Sequence, residues 1–225
     1  MFNNLESNDN KFYNILRYIH LFFLSNIYFS ICNILLIISL FLFELSFYNI
    51  FIFFIPLVFL GPSLSALFYL LNKFLYLDSD LVITKEFFLG YKKNFFNTLK
   101  VWVPLLLITF IIIFDFKINF LNPKLSLLNI PLTVLFIIDI LVIIYNFIFI
   151  SKYEISTINT LKLSCYTLIK NPFTSIINFI IIVLCLLILL YSKSLLSLFI
   201  VGFSCYLILK NLRNTFLFIE STYIK

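Results

Sequence analysis

The sequence has little glycine, little charge and almost no alanine. Three glycines occur in 225 residues, and only 12% of the residues are charged. A soluble domain has about 25% charged residues, so this composition excludes an ordinary soluble protein. The scarcity of small residues also singles out one cluster, in which Gly61, Pro62, Ser63, Ser65 and Ala66 occur together.

Histidine and paired cysteines are also lacking, and this limits the chemistry. His20 is the only histidine, and the four cysteines form no C-x-x-C pair. This pattern favours neither a metal site nor a disulfide framework. No nucleophile with a neighbouring base and no phosphate-binding loop is visible. We therefore predict a protein that is not an enzyme and that uses no cofactor or metal.

Long apolar runs dominate the sequence. It is 63% hydrophobic with a mean hydropathy of +1.11, and several runs reach the roughly 20 residues that cross a bilayer core. We predict an all-α membrane protein, with residues 1–225 forming one polytopic domain. Its six transmembrane helices are predicted at about 21–43, 50–71, 101–116, 131–150, 173–191 and 195–212.

Two further segments, 75–100 and 152–170, have amphipathic rather than uniformly apolar patterns. We predict that each forms a helix lying on the membrane surface. In the second segment, Ile155, Ile158, Leu161, Cys165 and Leu168 form an apolar stripe at helical spacing. Its polar residues, Ser156, Asn159, Thr160, Lys162, Ser164, Thr167 and Lys170, are predicted to face away from that stripe.

The basic residues predict an orientation. Among sixteen lysines and arginines, only Lys117, Lys124 and Lys193 fall in the segments on one side of this arrangement. The positive-inside rule therefore places both termini and both amphipathic helices in the cytoplasm. A net charge of +6 is explained by this bias, so we predict the lipid bilayer as a partner and no nucleic acid.

The small-residue cluster near the middle of the second span has two interpretations. Pro62 removes a backbone donor, which predicts a kink or local unwinding. One interpretation is a hinge with exposed carbonyl groups, as in the broken helices of transporters. The other is a packing point, because Gly61 and Ser65 share a helical face on which another helix can approach closely.

Asp139 is the most unusual single residue, because it lies near the middle of the fourth span. A carboxylate at that depth costs about 2.5–3.5 kcal/mol on insertion scales. Asn146 lies seven residues further on and shares its helical face. Asp139 either faces a polar cavity, where it binds a proton, a cation or a substrate hydroxyl, or it is protonated and fixes helix packing. The partners predicted for that packing role are Asn33, Asn178 and Ser204.

Three stretches resemble the YesL-like family of bacterial membrane proteins. They are Gly61-Pro62-Ser63, the cytoplasmic segment with Glu86-Phe87-Phe88 and Tyr91-Lys92-Lys93-Asn94-Phe95-Phe96, and Lys170-Asn171-Pro172-Phe173. The resemblance covers about residues 15–214. Family members often have His-Pro where this chain has Asn171-Pro172. The resemblance implies a bacterial inner (plasma) membrane protein of uncharacterised biochemistry, and some members are thought to assist carbohydrate uptake.

These observations lead to more than one hypothesis about function. The first is an accessory membrane protein that docks a partner, such as carbohydrate importer subunits or another membrane protein, through Lys92, Lys93, Asn94 and Phe95. The second is a small transporter or permease subunit with Asp139 lining a polar path. A third, purely structural hypothesis is lipid organisation by the surface helices.

Overall fold

The computed structural model describes residues 2–44, 46, 49–76, 81–191 and 197–223, and within these ranges the chain is helical with short connections and no strand. The predicted all-α fold class is confirmed. A 3-10 helix at Pro123–Leu128 separates the fourth and fifth of nine α-helices in this part of the chain. The helices are α1 (Phe2–Cys32), α2 (Ile34–Leu42), α3 (Ile50–Tyr76), α4 (Ile83–Leu121), α5 (Asn129–Lys152), α6 (Thr157–Lys170), α7 (Pro172–Tyr191), α8 (Ser197–Asn211) and α9 (Arg213–Tyr223).

Five of the described segments are long and apolar enough to cross a membrane. They are Ile15–Cys32 of α1, all of α3, all of α4, Leu125–Lys152 and all of α7. α5 and α7 contain the predicted fourth and fifth spans. α8 is apolar but shorter, at Phe199–Asn211, so a sixth crossing at 195–212 stays a prediction. Residues 195 and 196 of that span lie outside the described residues.

The predicted first span, at about 21–43, contains a break in its helix, and whether it crosses the membrane over that range stays a prediction. α1 starts earlier and includes the segment before residue 21, and it ends at Cys32, while α2 begins at Ile34. Asn33 between them has a non-helical backbone with φ −106° and ψ 22°. Its side-chain amide donates to the carbonyl of Phe29 and to Ser63 Oγ. Asparagine side chains favour such local bonds, and the break occurs at this residue although its backbone N–H still donates to the carbonyl of Phe29.

A correction concerns the first amphipathic segment, which is not a separate surface helix. From Ile83 onwards it is continuous with the predicted third span, and together they form α4; residues 77–80 lie outside the described part. Nothing in the sequence breaks the helix between Lys100 and Val101. At 39 residues, α4 is roughly 58 Å long, about twice the thickness of the hydrocarbon core. Part of α4 must therefore extend beyond that core.

α3 lies at the centre of the bundle and packs against α1, α2, α4, α5 and α8. Every residue from 65 to 72 in α3 is buried. α3 and α4 are antiparallel, because the Phe54 and Phe110 rings pack edge to face near one end and Tyr69 contacts Gly90 near the other. The helix that carries the small-residue cluster is thus the one around which the others assemble.

α6 forms as predicted, but the face that it buries differs from the prediction. Thr160, Ser164 and Thr167 are fully buried, whereas Ile158 and Cys165 are exposed. Each of the three hydroxyl groups donates to a backbone carbonyl of α6 itself. Because these small side chains are already satisfied, they allow close helix packing. Of the predicted apolar stripe, Ile155, Ile158 and Cys165 face outward, where lipid can cover them, whereas Leu168 packs against the core.

Candidate functional site

The predicted small-residue cluster is buried against α4. Gly61, Pro62, Ser63 and Ser65 are all buried, and a methyl group added at Gly61 would lie 2.5 Å from Trp102 Cδ1. The Trp102 indole N–H donates to the carbonyl of Leu57 at 2.9 Å. The helix continues through Pro62, so the predicted local unwinding is wrong. This geometry supports the packing interpretation of the cluster.

Asp139 is buried in α5, and its partner is not among those predicted. The Thr109 hydroxyl of α4 lies 2.6 Å from Asp139 Oδ2 and 3.0 Å from the carbonyl of Leu105. A hydroxyl carries one proton, so Thr109 shares it between the two acceptors when Asp139 is ionised, whereas a protonated Asp139 can itself donate to Thr109. The helical pattern placed Asp139 on a buried face but could not show that α4 lies opposite.

The other predicted intramembrane residues do not join Asp139. Asn33 bonds to Ser63 Oγ at 2.7 Å. The amide nitrogen of Asn146 donates to the carbonyl of Val142 at 3.0 Å, and its Oδ1 atom is buried without a partner. All three residues are buried, but their hydrogen bonds run to separate neighbours. They therefore do not form one continuous hydrogen-bonded path.

A longer buried chain of hydrogen bonds was missed from the sequence. Asn211 of α8 donates to Asn178 Oδ1 at 2.8 Å, and Asn178 donates to the hydroxyl of Tyr145 at 3.1 Å. The Tyr145 hydroxyl lies 2.9 Å from Ser175 Oγ. Amide side chains inside apolar helices were the available signal. This chain ties α5, α7 and α8 together.

The predicted docking residues lie on different sides of α4. Lys92 and Lys93 are exposed and Phe95 is half-buried, but Asn94 is only 5% exposed. Asn94 belongs to the inward face, which Ile83, Phe87, Gly90 and Thr98 share at helical spacing, and its inclusion in an exposed docking surface was wrong. The opposite side, here called the outer face, is exposed and consists of Lys85, Phe88, Leu89, Lys92 and Phe96.

Three ion pairs gather where α3 and α5 end, and we call this part of the molecule the basic end. Lys73 pairs with Glu86 at 2.6 Å, Lys93 with Glu154 at 2.5 Å, and Lys152 with Glu220 at 2.9 Å. These pairs connect α3 to α4, α4 to the α5–α6 connection, and α5 to α9. The basic end is therefore assembled from distant parts of the sequence.

Aromatic rings surround the lysines of the basic end. Lys152 Nζ lies 3.8 Å from the centre of the Phe216 ring and 4.6 Å from that of Tyr76. Lys73 Nζ lies 4.9 Å from the centre of the Tyr69 ring. Cations over aromatic faces are attracted by the ring quadrupole, most strongly where water is excluded. The rings thus hold these ammonium groups in place without neutralising them.

Two residues in the connection after α5, Tyr153 and Glu154, have pKa values that are shifted by their local environment. The Lys93 ammonium group lowers the pKa of the exposed Glu154 carboxyl by hydrogen bonding and by charge. Burial raises the pKa of the Tyr153 hydroxyl, and the nearby Glu220 carboxylate raises it further. Tyr153 therefore stays neutral and donates its proton to Glu220 Oε1 at 3.2 Å.

A cavity of about 530 Å³ opens at the basic end, and a second of about 380 Å³ adjoins it. The two share Tyr69, Lys93, Ser151 and Lys152, so we describe them together as the basic cavity. The second cavity adds Asn94, Asn97, Ile150, Tyr153, Glu154 and Ile155. The larger one is lined by Tyr69, Asn72, Lys73, Tyr76, Lys93, Ser151, Lys152, Arg213, Phe216, Leu217 and Glu220.

Comparison with known proteins gives one finding for this chain. A family model described as a protein of unknown function, DUF624, matches residues 18–116. Two of the three stretches that carry the family resemblance, at Gly61 and around Lys92, lie inside this range, and the one at Asn171 lies outside it. No curated protein and no solved structure matches the chain. The similarity therefore indicates a family of unknown function and gives no biochemical activity.

Proposed function

We propose that the chain is a non-enzymatic accessory protein of the bacterial cell membrane that docks a partner protein through the outer face of α4. The observation that carries the proposal is the composition of this face. Phe88 is 43% and Phe96 is 73% exposed; Lys92 is exposed between them, and Lys85 is exposed one turn before Phe88. Aromatic anchors are typical of the centres of protein interfaces, and the lysines favour a partner with acidic residues.

The length of α4 supports this role. Because α4 is about twice as long as the hydrocarbon core is thick, its N-terminal half can present the outer face beyond the lipid. The same half is held on its inward face by Tyr69 against Gly90, and near its start by the Tyr28–Thr84 hydrogen bond of 2.6 Å. The outer face is thus displayed on a fixed support. The family resemblance suggests carbohydrate importer subunits as the partner.

A pull-down experiment with matched variants tests the proposal. The full-length protein is tagged, extracted in mild detergent, cross-linked, and its co-purifying proteins are identified by mass spectrometry. We expect a membrane partner with the unmodified protein, and its loss with Lys92→Glu and with Phe96→Ser. Lys162→Glu, an equal charge change on an exposed residue of α6, serves as the control. Equal recovery with all variants would contradict docking through the outer face.

A second candidate function is transport, with Asp139 in the path. It is favoured by one observation: Thr109, which bonds to Asp139, also lines a groove of about 410 Å³ between α3 and α4. The other residues of that groove are apolar except Ser46, which makes it less suited to a polar solute. Purified protein in liposomes tests this function, because solute flux that Asp139→Asn abolishes would exclude a purely accessory role.

A further inference from the structure

The basic cavity has the donors that an anionic group needs. Lys73, Lys93, Lys152 and Arg213 line it, against the carboxylates of Glu154 and Glu220. An ammonium group has three N–H donors, so a lysine that already pairs with one carboxylate can still bind another oxygen. Arg213 takes no part in the three ion pairs found in the described part of the chain. Its guanidinium group can bind two oxygens at once.

Two buried amide groups in the cavity wall independently indicate a missing polar partner. Asn72 is 7% exposed and Asn94 is 5% exposed, and Asn72 Oδ1 and Asn94 Nδ2 have no hydrogen-bond partner among the described residues. The Ser151 hydroxyl donates to the carbonyl of Ile148, so it can only accept from Asn72 Nδ2 at 3.1 Å. The orientation of the Asn72 amide is therefore determined, with Nδ2 towards Ser151 and Oδ1 as the atom without a partner. Asn94 Nδ2 is a donor, which suits an oxygen anion, whereas Asn72 Oδ1 is itself an acceptor and needs a donor such as a hydroxyl group of the ligand.

One carboxylate already occupies part of this anion site. Glu220 of α9 accepts from Lys152 at 2.9 Å and from the Tyr153 hydroxyl at 3.2 Å. It shows that the cavity can hold an oxygen anion at this point. Glu220 would compete with an anionic ligand for Lys152.

We propose that the basic cavity binds the phosphate group of an anionic ligand, with Arg213, Lys152 and Lys93 as its donors and Glu220 as an internal competitor. A phosphate group has enough oxygens to contact several of these donors together. Basic pockets between transmembrane helices are suited to the headgroups of anionic lipids. A soluble phosphate ester presents the same chemistry. This proposal does not depend on partner docking by the outer face.

Binding to purified full-length protein tests the proposal. The protein is placed in nanodiscs of phosphatidylcholine with increasing phosphatidylglycerol, and lipid retention is measured by native mass spectrometry; inorganic phosphate is titrated separately. Saturable binding of phosphatidylglycerol alone identifies a lipid headgroup, and saturable binding of inorganic phosphate identifies a soluble phosphate source. Both results support the site. Binding of neither probe would overturn it.

Three variants separate a specific site from general attraction to positive charge. Arg213→Gln should weaken binding about tenfold, which corresponds to about 1.4 kcal/mol. Glu220→Gln should strengthen it severalfold, because the competitor is removed. Lys162→Gln, outside the cavity, should change little. Equal weakening by Arg213→Gln and Lys162→Gln, or weaker binding after Glu220→Gln in a protein that melts normally, would contradict the proposal.

Discussion

Two buried polar side chains in the apolar part of this protein each bond to one side chain of a neighbouring helix. Asp139 bonds to Thr109 and Asn33 to Ser63. The sequence predicted that Asp139 would be buried, because its depth in a span can be counted along the chain. It could not predict Thr109, because periodicity within one helix does not show which helix lies opposite. The partner is fixed only when α4 and α5 pack together.

The bond between Thr109 and Asp139 predicts an asymmetric effect on stability. Thr109→Val keeps the shape but removes the hydroxyl, so Asp139 loses its partner and stability should fall by about 1–2 kcal/mol. Thr109→Ser keeps the hydroxyl and should cost less. The free energy of unfolding in mixed micelles measures both variants. If Thr109→Ser destabilises as much as Thr109→Val, loss of the methyl group matters as much as loss of the hydroxyl, and the predicted asymmetry is wrong.

At Gly61, we expect a Gly→Ala substitution to destabilise the protein, although in most helices it is stabilising. In a helix, Gly→Ala normally stabilises by about 1 kcal/mol. Here the added methyl group would lie 2.5 Å from Trp102 Cδ1, and overpacking typically costs about 1–3 kcal/mol. Gly61→Ala should therefore lower the melting temperature. In a background with Trp102→Leu the same substitution should be neutral or stabilising, and a destabilisation that persists there would rule out the Trp102 contact as its cause.

At the scale of whole helices, hydropathy predicted the positions of apolar segments. It predicted less well which segments form one continuous helix and which face a helix buries. α7 begins and ends within one residue of its predicted limits, 173–191. The union of the first amphipathic segment with the third span in α4 was missed, because a change from amphipathic to apolar pattern does not by itself end a helix. The buried face of α6 was missed because a stripe of threonine and serine was interpreted as facing water.

The orientation of α6 can be tested with two adjacent residues. Ser164 is fully buried and Cys165 is exposed. Ser164→Leu should destabilise the protein by about 1–3 kcal/mol, because a larger side chain must fit between packed helices. Cys165→Leu should have little effect. Thermal unfolding of both variants in detergent measures the difference, and the reverse order would mean that the apolar stripe, not the hydroxyl face, packs inward.

At the scale of the whole molecule, contacts gather several chain segments at the basic end. Arg17 of α1 lies 4.6 Å from the centre of the Phe74 ring of α3. Thr215 of α9 accepts from the Asn171 side chain at 3.0 Å, next to the start of α7. α7 and α8 are therefore antiparallel, and α8 ends on the side of the bundle where α7 begins. This arrangement supports the predicted even number of crossings, although α8 is short.

Cysteine labelling tests this arrangement together with the orientation that the basic residues predict. In a background without the four native cysteines, Lys92→Cys and Thr222→Cys report on the basic end, and Leu127→Cys reports on the 3-10 connection beyond the far end of α4. All three positions are exposed. Because the positive-inside rule places the basic end in the cytoplasm, a membrane-impermeant thiol reagent should label only Leu127→Cys in intact cells.

The pattern among the three positions then separates orientation from crossing number. Labelling of Lys92→Cys and Thr222→Cys, but not Leu127→Cys, in intact cells would mean that the orientation is opposite to the predicted one. The fold would be unaffected by that result. Labelling of Thr222→Cys without Lys92→Cys would place α9 across the membrane from α4's N-terminal half. That result would contradict the Lys152–Glu220 pair, and with it the basic cavity that both residues line. The orientation rests on the distribution of charge along the chain, whereas the pairing of the ends rests on the packing of the bundle.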